Sequence, residues 1–425
     1  MLDMNLIRED PDKIARSLAK RGYMIDFTEI LALDGRRREL IRDGDQLKAR
    51  RNQVSGEIPK LRGQGINVDG LITEMKATGD KIRDNDAELS DVSSRLTGLL
   101  EAIPNVPADD VAAGGKESNE VISVFGQKPS FSFEIKDHVE IAERLGLIDY
   151  GRGVKLGGSG FWLYKGNGAR LEWALINFFI EEHIKDGYEF MLPPHILTYQ
   201  CGYTAGQFPK FEEDVFTLER REGRGFSQFL LPTSETALIN FHRDETLNEE
   251  DLPKKYFSFT PCYRSEAGGA HADERGMVRG HQFNKVEMFQ YTAPENSEKA
   301  LMELVEKAER LVRALGLHYR LSKLAAGDCG AAMAKTYDIE VWLPSMGIYK
   351  EVSSVSNAME YQARRGNMRF RRKDSRRSEY LHTLNGSGLA TSRVFPAILE
   401  QFQQGDGRVK VPDVLIKWVG KDYLE

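Results

Sequence analysis

Apolar residues recur every seven positions in two stretches of the chain between residues 40 and 103. The first series consists of Leu40, Leu47, Val54 and Leu61. The second consists of Met75, Ile82, Leu89, Leu96 and Ile103, with Val92 and Leu99 between them. This spacing gives each of two long helices an apolar stripe that another helix has to cover. Because the polar segment GQGINVDG separates the two series, the sequence predicts an antiparallel helical hairpin that bends or frays near Pro59.

The two arms of this hairpin differ in charge. The segment 35–62 holds nine Lys or Arg against four Asp or Glu, whereas the segment 63–100 holds four against seven. A long basic helix is suited to binding the phosphates of a nucleic acid. The same charges can instead be solvated and form ion pairs across the hairpin. Charge alone leaves both interpretations open.

Composition limits the class of protein. With 425 residues, 40% of them hydrophobic and 29% charged, the chain is long enough for more than one core. Because it has neither an apolar run of the ~18–20 residues that span a bilayer nor the apolar core of a secretory signal, we expect a cytoplasmic protein without a membrane partner. The net charge of −6 argues against coating nucleic acid through bulk charge. Cys201, Cys262 and Cys329 lie too far apart for a paired-cysteine motif, so no structural zinc is expected.

The distribution of prolines and glycines predicts the domain organisation. The segment IPNVPADDVAAGGKESN is typical of a linker, which we place at residues 106–130, between an N-terminal helical domain (1–105) and a second domain (131–425). In the second domain, amphipathic helical patterns alternate with short apolar strands. Neither a GxGxxG nor a GxxxxGK[ST] turn joins a strand to a helix, which disfavours a Rossmann or P-loop nucleotide site. The pattern favours an α+β fold, with an antiparallel sheet flanked by helices.

The stretch from Thr260 to Gln290 has the pattern of a hairpin that binds an anion. Arg264 and Glu266 are two residues apart, so on an extended chain they point to one face. A guanidinium there can bind a phosphate or a carboxylate. After a polar, glycine-containing segment, Phe283, Lys285 and Glu287 share a face by the same spacing.

These residues resemble motif 2 of the class II aminoacyl-tRNA synthetases, and the spellings TPCYRSEAG and HQFNKVE resemble the seryl-tRNA synthetases of the bacterial type. The similarity continues in order through LPTSETAL, KTYDIEVWLP, YKEVSSVSN, YQARR and HTLNGSGLATSR, and it covers essentially the whole chain. The resemblance implies a homodimer with the class II antiparallel sheet and an N-terminal coiled-coil arm. It also implies an enzyme that makes seryl-adenylate from L-serine and ATP and transfers serine to tRNA(Ser).

The resemblance implies an ATP-binding set made of Arg264, Ser265, Glu266, Phe283, Glu351, Val352, Ser353, Ser354 and Arg393. Two of these, Arg264 and Arg393, are the expected catalytic residues. Arg264 would bridge the α-phosphate and the serine carboxylate, while Arg393 would hold the far end of the triphosphate. Glu266 would accept a hydrogen bond from the adenine amino group, and Phe283 would stack on the adenine ring.

The implied serine-binding set is made of Thr233, Ser234, Glu235, Arg264, Glu287, Asn385 and Ser387. In it, Thr233 and Glu235 would receive the ammonium group. Glu287 would bind the ammonium and the hydroxyl together, and Asn385 and Ser387 would close the hydroxyl side. A site that hydrogen-bonds a substrate hydroxyl rejects the analogue lacking it by roughly 10⁴- to 10⁵-fold, so alanine should be excluded more easily than threonine.

Two further groups of residues have assigned partners. Glu351 and Ser354 offer oxygen ligands for Mg²⁺ bound to ATP, although Glu351 could instead pair with Arg364 or Arg365. In the family, the helical hairpin grips the long variable arm of tRNA(Ser). The candidate tRNA contacts on the basic arm are Arg42, Arg50 and Arg51.

Two alternatives share these motifs. A seryl-adenylate-forming paralogue could deliver serine to a carrier or a small acceptor, but such a protein would not need the long hairpin. A catalytically silent RNA-binding homologue would be expected to have lost ATP or serine ligands, all of which are present. Ala205 stands where the usual spelling has threonine, and the segment 327–335 also varies, which leaves catalytic efficiency and a specialised role open.

Overall fold

The computed structural model describes residues 1–218, 228–266 and 276–425. By its internal contacts the chain forms two units, of which the first comprises Met1–Leu18 and Tyr23–Pro104. The second comprises Ala19–Gly22 and Asn105–Glu425. None of the described helices is long and apolar enough to cross a membrane.

The first unit contains the predicted pair of long helices. Its helices are α1 (Met4–Glu9), α2 (Pro11–Ala19), α3 (Thr28–Gly63) and α4 (Asp69–Ala102). The heptad positions form the seam between α3 and α4, where Leu40, Val54, Ile82 and Leu96 are buried. The chain continues as a helix through Pro59 to Gly63, because a proline removes a single backbone hydrogen bond and here falls close to the helix end.

Ion pairs between the arms give the direction of the hairpin. Glu29 pairs with Arg95, Arg36 with Glu88 and Arg50 with Glu74. Along α3 these partners advance by seven and then fourteen residues, and along α4 they retreat by the same amounts. The arms are therefore antiparallel and in heptad register. All six side chains are at least 44% exposed, so each pair stabilises the hairpin only slightly.

The second unit combines helices with strands. Its described helices are α5 (His138–Arg144), α6 (Tyr150–Gly157), α7 (Asn167–Lys185), α8 (Tyr199–Ala205), α9 (Glu235–Leu238), α10 (Ser297–Ala314), α11 (Tyr361–Arg365), α12 (Thr391–Gln401) and α13 (Ile416–Val419). Short 3-10 turns occur at Lys116–Ser118, Glu212–Asp214, Glu249–Asp251, Pro294–Asn296 and Asp413–Leu415. Its described strands are β1 (Glu120–Phe125), β2 (Ile148–Asp149), β3 (Leu163–Tyr164), β4 (Glu189–Met191), β5 (Ile196–Thr198), β6 (Thr217–Leu218), β7 (Gln228–Leu230), β8 (Thr246–Asn248), β9 (Lys254–Tyr263), β10 (Gln282–Thr292), β11 (Tyr319–Lys323), β12 (Lys335–Leu343), β13 (Ile348–Met359), β14 (Arg369–Arg371), β15 (Ser378–Tyr380), β16 (His382–Ala390), β17 (Val409–Lys410) and β18 (Tyr423–Leu424).

Eight of the described strands form the main sheet, in the order β1-β11-β12-β13-β16-β10-β9-β4. Every neighbouring pair is antiparallel except β4 with β9, which is parallel. On β10, Val286 and Met288 pack into a large core with side chains of α7, α10 and α12. Phe289 and Tyr291 project to the other face, into a second core that includes Leu238. The polar residues of β10 that precede Phe289 on that second face are left to line a cavity.

The segment 106–130, expected to be a linker, is instead part of the second unit. Its strand β1 pairs with β11 at one end of the main sheet. Directly before this segment, the Asn105 side chain donates hydrogen bonds to the carbonyls of Ala332 and Ala358 at 2.9 and 2.8 Å. Prolines and glycines predict irregular backbone, but they do not exclude a short strand. The sequence pattern did not reveal that β1 pairs with β11, which is about 200 residues away.

Candidate functional site

A cavity of about 630 Å³ lies in the second unit and is lined mainly by polar side chains. Its lining brings together twelve of the residues that the sequence predicted for ATP and serine: Thr233, Glu235, Arg264, Glu266, Phe283, Glu287, Glu351, Val352, Ser354, Asn385, Ser387 and Arg393. They come from five separate segments of the chain, so the fold and not local sequence assembles the site.

Strand β10 supplies one wall of the cavity. Phe283, Lys285 and Glu287 all line it, as their period-two spacing predicts. Arg264 follows the neighbouring strand β9, and its guanidinium lies 5.2 Å from the centre of the Phe283 ring. A cation and an aromatic face are thus already together at this end of the cavity.

A buried hydrogen-bond network surrounds Glu287. Its carboxylate accepts from Asn385 Nδ2 at 3.0 Å and from Ser387 Oγ at 3.3 Å. Lys285 Nζ lies 2.6 Å from the same carboxylate and donates to Thr233 Oγ1 at 2.7 Å. The Lys285 and Glu287 side chains are 8% and 1% exposed, so this pair is shielded from water.

Glu235 stands at the start of α9 with its side chain buried. Its Oε1 accepts from Gln362 Nε2 at 2.7 Å, and Gln362 Oε1 in turn accepts from Thr383 at 2.7 Å. Burial, together with the Glu287 carboxylate, raises the pKa of Glu235 to about 7. Two carboxylates therefore lie in one pocket, where a cationic ligand would offset their mutual repulsion.

A β-bulge explains how Glu351 and Ser354 come to line the same cavity. Three positions apart on a regular strand, they would point to opposite faces. The pairing of β13 with β12 shifts at this point, because Ser353 faces Ile339 while Glu351 faces Glu340. Val352 is thus the extra residue of a bulge, which reverses the alternation and places both side chains on the cavity side.

The same region holds a coupled set of charges. Arg393 Nη1 lies 3.2 Å from the Glu351 carboxylate and donates to its backbone carbonyl at 2.8 Å. Burial acts to raise the pKa of Glu351, but the Arg393 and Arg264 guanidiniums outweigh it, and the pKa lies below its usual value. Burial and the Glu351 carboxylate raise the pKa of Asp338 well above its usual value. Within the described ranges of the chain, no group forms a hydrogen bond with the buried Asp338 Oδ1.

Three expected residues do not line the cavity. Ser234 Oγ forms a hydrogen bond of 2.7 Å with Thr260 Oγ1, and Ser353 Oγ donates to the Ser387 carbonyl at 2.6 Å. Ser265 Oγ donates to the Glu213 carbonyl at 2.6 Å. Each neighbours a cavity residue in sequence, but its hydroxyl is hydrogen-bonded to another part of the protein.

The basic arm residues lie on α3 of the first unit. Arg42 and Arg50 are 67% and 53% exposed, and each forms one exposed ion pair, with Asp43 and Glu74 respectively. Arg51 is also exposed. These positions are accessible to a large anionic partner.

Several residues that shape the site were not assigned from the sequence. Glu266 forms an ion pair with Arg279, which also lines the cavity. Asp338 and Gln362 lie within segments that carry the family resemblance, KTYDIEVWLP and YQARR, so the motifs contained a signal for them. Arg21 had no such signal. It donates to four backbone carbonyls of a cavity-wall loop, those of Ala326, Cys329, Gly330 and Met333.

Comparison with known proteins identifies the family. Residues 1–107 match the seryl-tRNA synthetase N-terminal domain, and residues 216–402 match the class II tRNA synthetase core domain (G, H, P, S and T). The serine–tRNA ligase 2 of Clostridium acetobutylicum is 60% identical over the full length of both chains. The chain belongs to the seryl-tRNA synthetase family.

Solved structures of this family agree with the fold. The seryl-tRNA synthetase of Pyrococcus horikoshii, complexed with ATP, superposes with a TM-score of 0.92 at 34% identity, covering 100% of this chain and 99% of that one. The cytoplasmic serine–tRNA ligase of Naegleria fowleri, in complex with AMP, superposes with a TM-score of 0.87 at 26% identity, with the same coverage. The predicted α+β class II architecture with its N-terminal helical hairpin is confirmed, and the chain is a ligase of the aminoacyl-tRNA synthetase class.

Proposed function

We propose that this seryl-tRNA synthetase family member uses the cavity to join L-serine to ATP and then transfers serine to tRNA(Ser). The observation that carries the proposal is the division of charge within one cavity. Arg264 and Arg393 supply cations where a triphosphate and a carboxylate would meet, whereas Glu235 and Glu287 supply carboxylates for an ammonium group. A zwitterionic amino acid beside a nucleotide matches both ends.

Serine recognition is assigned to the Glu287 network. The serine ammonium would lie between Glu235 and Glu287, with Thr233 at the entrance. The serine hydroxyl would join the hydrogen bonds that Asn385 and Ser387 already make to Glu287. A ligand without that hydroxyl would form no hydrogen bond with this buried network, and the binding free energy lost would exceed that of a missing methyl group.

Activation requires two anions to react. A serine carboxylate oxygen forms a bond to the α-phosphorus of ATP, and the bond from that phosphorus to the pyrophosphate oxygen breaks. Arg264 would hold both reactants and offset the charge of the transition state. Phe283 would stack on the adenine and Arg393 would hold the departing pyrophosphate. A ribose hydroxyl of the tRNA end then attacks the acyl carbon, and AMP leaves.

Magnesium is assigned to ATP and not to a protein cage. Among the residues that the structure describes, no cluster of three or more His, Cys, Asp or Glu side chains suits a metal ion. Glu351 and Ser354 nevertheless present hard oxygen atoms on one face, beside the orphaned Asp338 Oδ1. These residues would hold an ion whose other ligands are phosphates and water, and the ion would neutralise phosphate charge.

We also propose that the protein is a homodimer. Apolar side chains on α7 and beyond it are exposed, with Trp173 59% and Leu192 74% accessible. Trp173 packs edge-on against Phe259, and Phe190 stacks on Phe257, so both rest on neighbouring positions of β9. A second copy that packed on this surface would remove it from water. Light scattering should give twice the chain mass, and Leu192→Glu should shift it toward the monomer.

Two assays test the proposed reaction. Serine-dependent exchange of labelled pyrophosphate into ATP should occur without tRNA, because every assigned activation residue lies in the second unit. Aminoacylation of tRNA(Ser) should follow when the RNA is added. Exchange without charging would favour the carrier-serving alternative, and the absence of both would favour a silent RNA-binding homologue. Because ATP and tRNA occur in the cytoplasm, we expect the protein to act there.

A further inference from the structure

Glu172 connects three elements around the nucleotide end of the cavity without lining it. It lies on α7, and its side chain is buried. Its Oε1 accepts from Asn284 Nδ2 of β10 at 2.8 Å and from Thr391 Oγ1, at the start of α12, at 2.6 Å. Thr391 Oγ1 also lies 3.1 Å from the Asn284 carbonyl. One carboxylate oxygen therefore joins α7, β10 and α12.

The residues held by Glu172 flank the residues assigned to ATP. Asn284 follows Phe283 directly and points to the opposite face of β10, and Thr391 stands two residues before Arg393. The shared hydrogen bonds fix the position of α12 relative to β10. That relative position sets the separation between the ring assigned to adenine and the guanidinium assigned to the far end of the triphosphate.

Packing alone does not account for a carboxyl group at this position. Among the residues that the structure describes, no cation pairs with the Glu172 carboxyl group, and burial raises the pKa of Glu172 to about 7. The hydroxyl of Tyr164 is buried beside the Glu172 carboxyl group and interacts with it. An apolar side chain would avoid this cost of burying polar atoms. What an apolar side chain could not supply is the acceptor for both Asn284 and Thr391.

We propose that Glu172 is a positioning residue for ATP, which holds β10 and the start of α12 in the arrangement that lets Phe283 and Arg393 grip opposite ends of the nucleotide. The inference rests on the ATP site of the proposed function. In that proposed function serine is assigned to Glu235 and Glu287, so the two substrates should respond differently when Glu172 is altered.

The test compares Glu172→Ala with Glu172→Gln in pyrophosphate exchange. Alanine removes the acceptor, so we expect the KM for ATP to rise about tenfold. This is the lower end of the loss seen when a group that supports a binding residue is removed. The KM for serine should change less than about twofold. Glutamine keeps Oε1 and can place its amide against the Tyr164 oxygen, so it should restore the KM for ATP to within about threefold of the parent. Asp186→Asn is the matched control, because Asp186 ends the same helix but binds Lys307 and Arg310 of α10.

Three results would overturn the proposal: an unchanged KM for ATP in Glu172→Ala, an equal rise for both substrates, or a glutamine variant as impaired as the alanine one. If the alanine variant does not fold, Thr391→Val removes only the hydroxyl and should raise the KM for ATP in the same selective way. Calorimetric titration of ATP alone gives the same comparison without the reaction. Failure of the parent protein to exchange pyrophosphate would count against the proposed function, whereas an active parent with insensitive variants would count against Glu172 only.

Discussion

The helical hairpin and the cavity place their charged side chains in opposite environments. In the hairpin, the Arg50–Glu74 pair is 53% and 46% exposed, so water and salt screen it. In the cavity, the Lys285–Glu287 pair is 8% and 1% exposed, and each partner depends on the other to offset its burial. Charges in the hairpin should therefore contribute small, separate and salt-sensitive amounts, whereas charges in the cavity should act as a unit.

Replacing Arg264 with alanine should produce the largest effect on the first step. The variant lacks the cation assigned to both reactants, so pyrophosphate exchange should slow by about 10²- to 10³-fold. Thermal unfolding should be nearly unchanged. Arg369→Ala is a matched control, because Arg369 stacks on Tyr380 at 3.9 Å and does not line the cavity. Near-parental exchange in the Arg264 variant would remove this residue from the mechanism.

Removing the hairpin tests whether the two units have separable roles. Joining Gly35 to Leu96 deletes the charged parts of α3 and α4 and leaves every cavity residue in place. Exchange should persist, while the rate of tRNA charging at low tRNA concentration should fall by about a hundredfold, because the arm no longer binds RNA phosphates. A folded, truncated protein that charged tRNA at the parental rate would contradict the assigned role of the arm.

The pH dependence of serine binding tests the carboxylate pocket. The pKa of Glu235 is raised to about 7, and the charged form is the one assigned to the serine ammonium. As pH falls through 7 the group takes up a proton that serine has to displace, so the KM for serine should rise about tenfold between pH 8 and pH 6. The KM for ATP should change less, and Glu235→Gln should flatten the serine profile. A flat profile in the parent protein would argue against this assignment.

The smallest effect is expected from the basic arm. Replacing Arg42, Arg50 and Arg51 with glutamine should weaken tRNA binding a few-fold, and the logarithmic salt dependence should decrease by about 0.7 to 0.9 for each phosphate that the arm no longer neutralises. The matched control replaces the exposed basic residues Lys76, Lys81 and Arg83 of α4. Equal effects of the two triple variants would mean that net charge, and not the basic arm, attracts the RNA.

Local periodicity accounts for what the sequence predicted well. The heptad spacing that places Leu40 and Val54 in the seam depends only on helix geometry. Likewise, the shared face of Phe283 and Glu287 depends only on the alternation of a strand. The motifs in turn carried the family resemblance, and through it twelve residues that meet in one cavity.

Contacts distant in sequence account for what only the tertiary structure decided. The bulge at Val352, which brings Glu351 and Ser354 to one face, follows from the register with β12 and has no local signature. The bond from Gln362 to Glu235 spans 127 residues. Such contacts form because the folded chain as a whole buries its apolar surface and satisfies its polar groups, and no short window of sequence contains that balance.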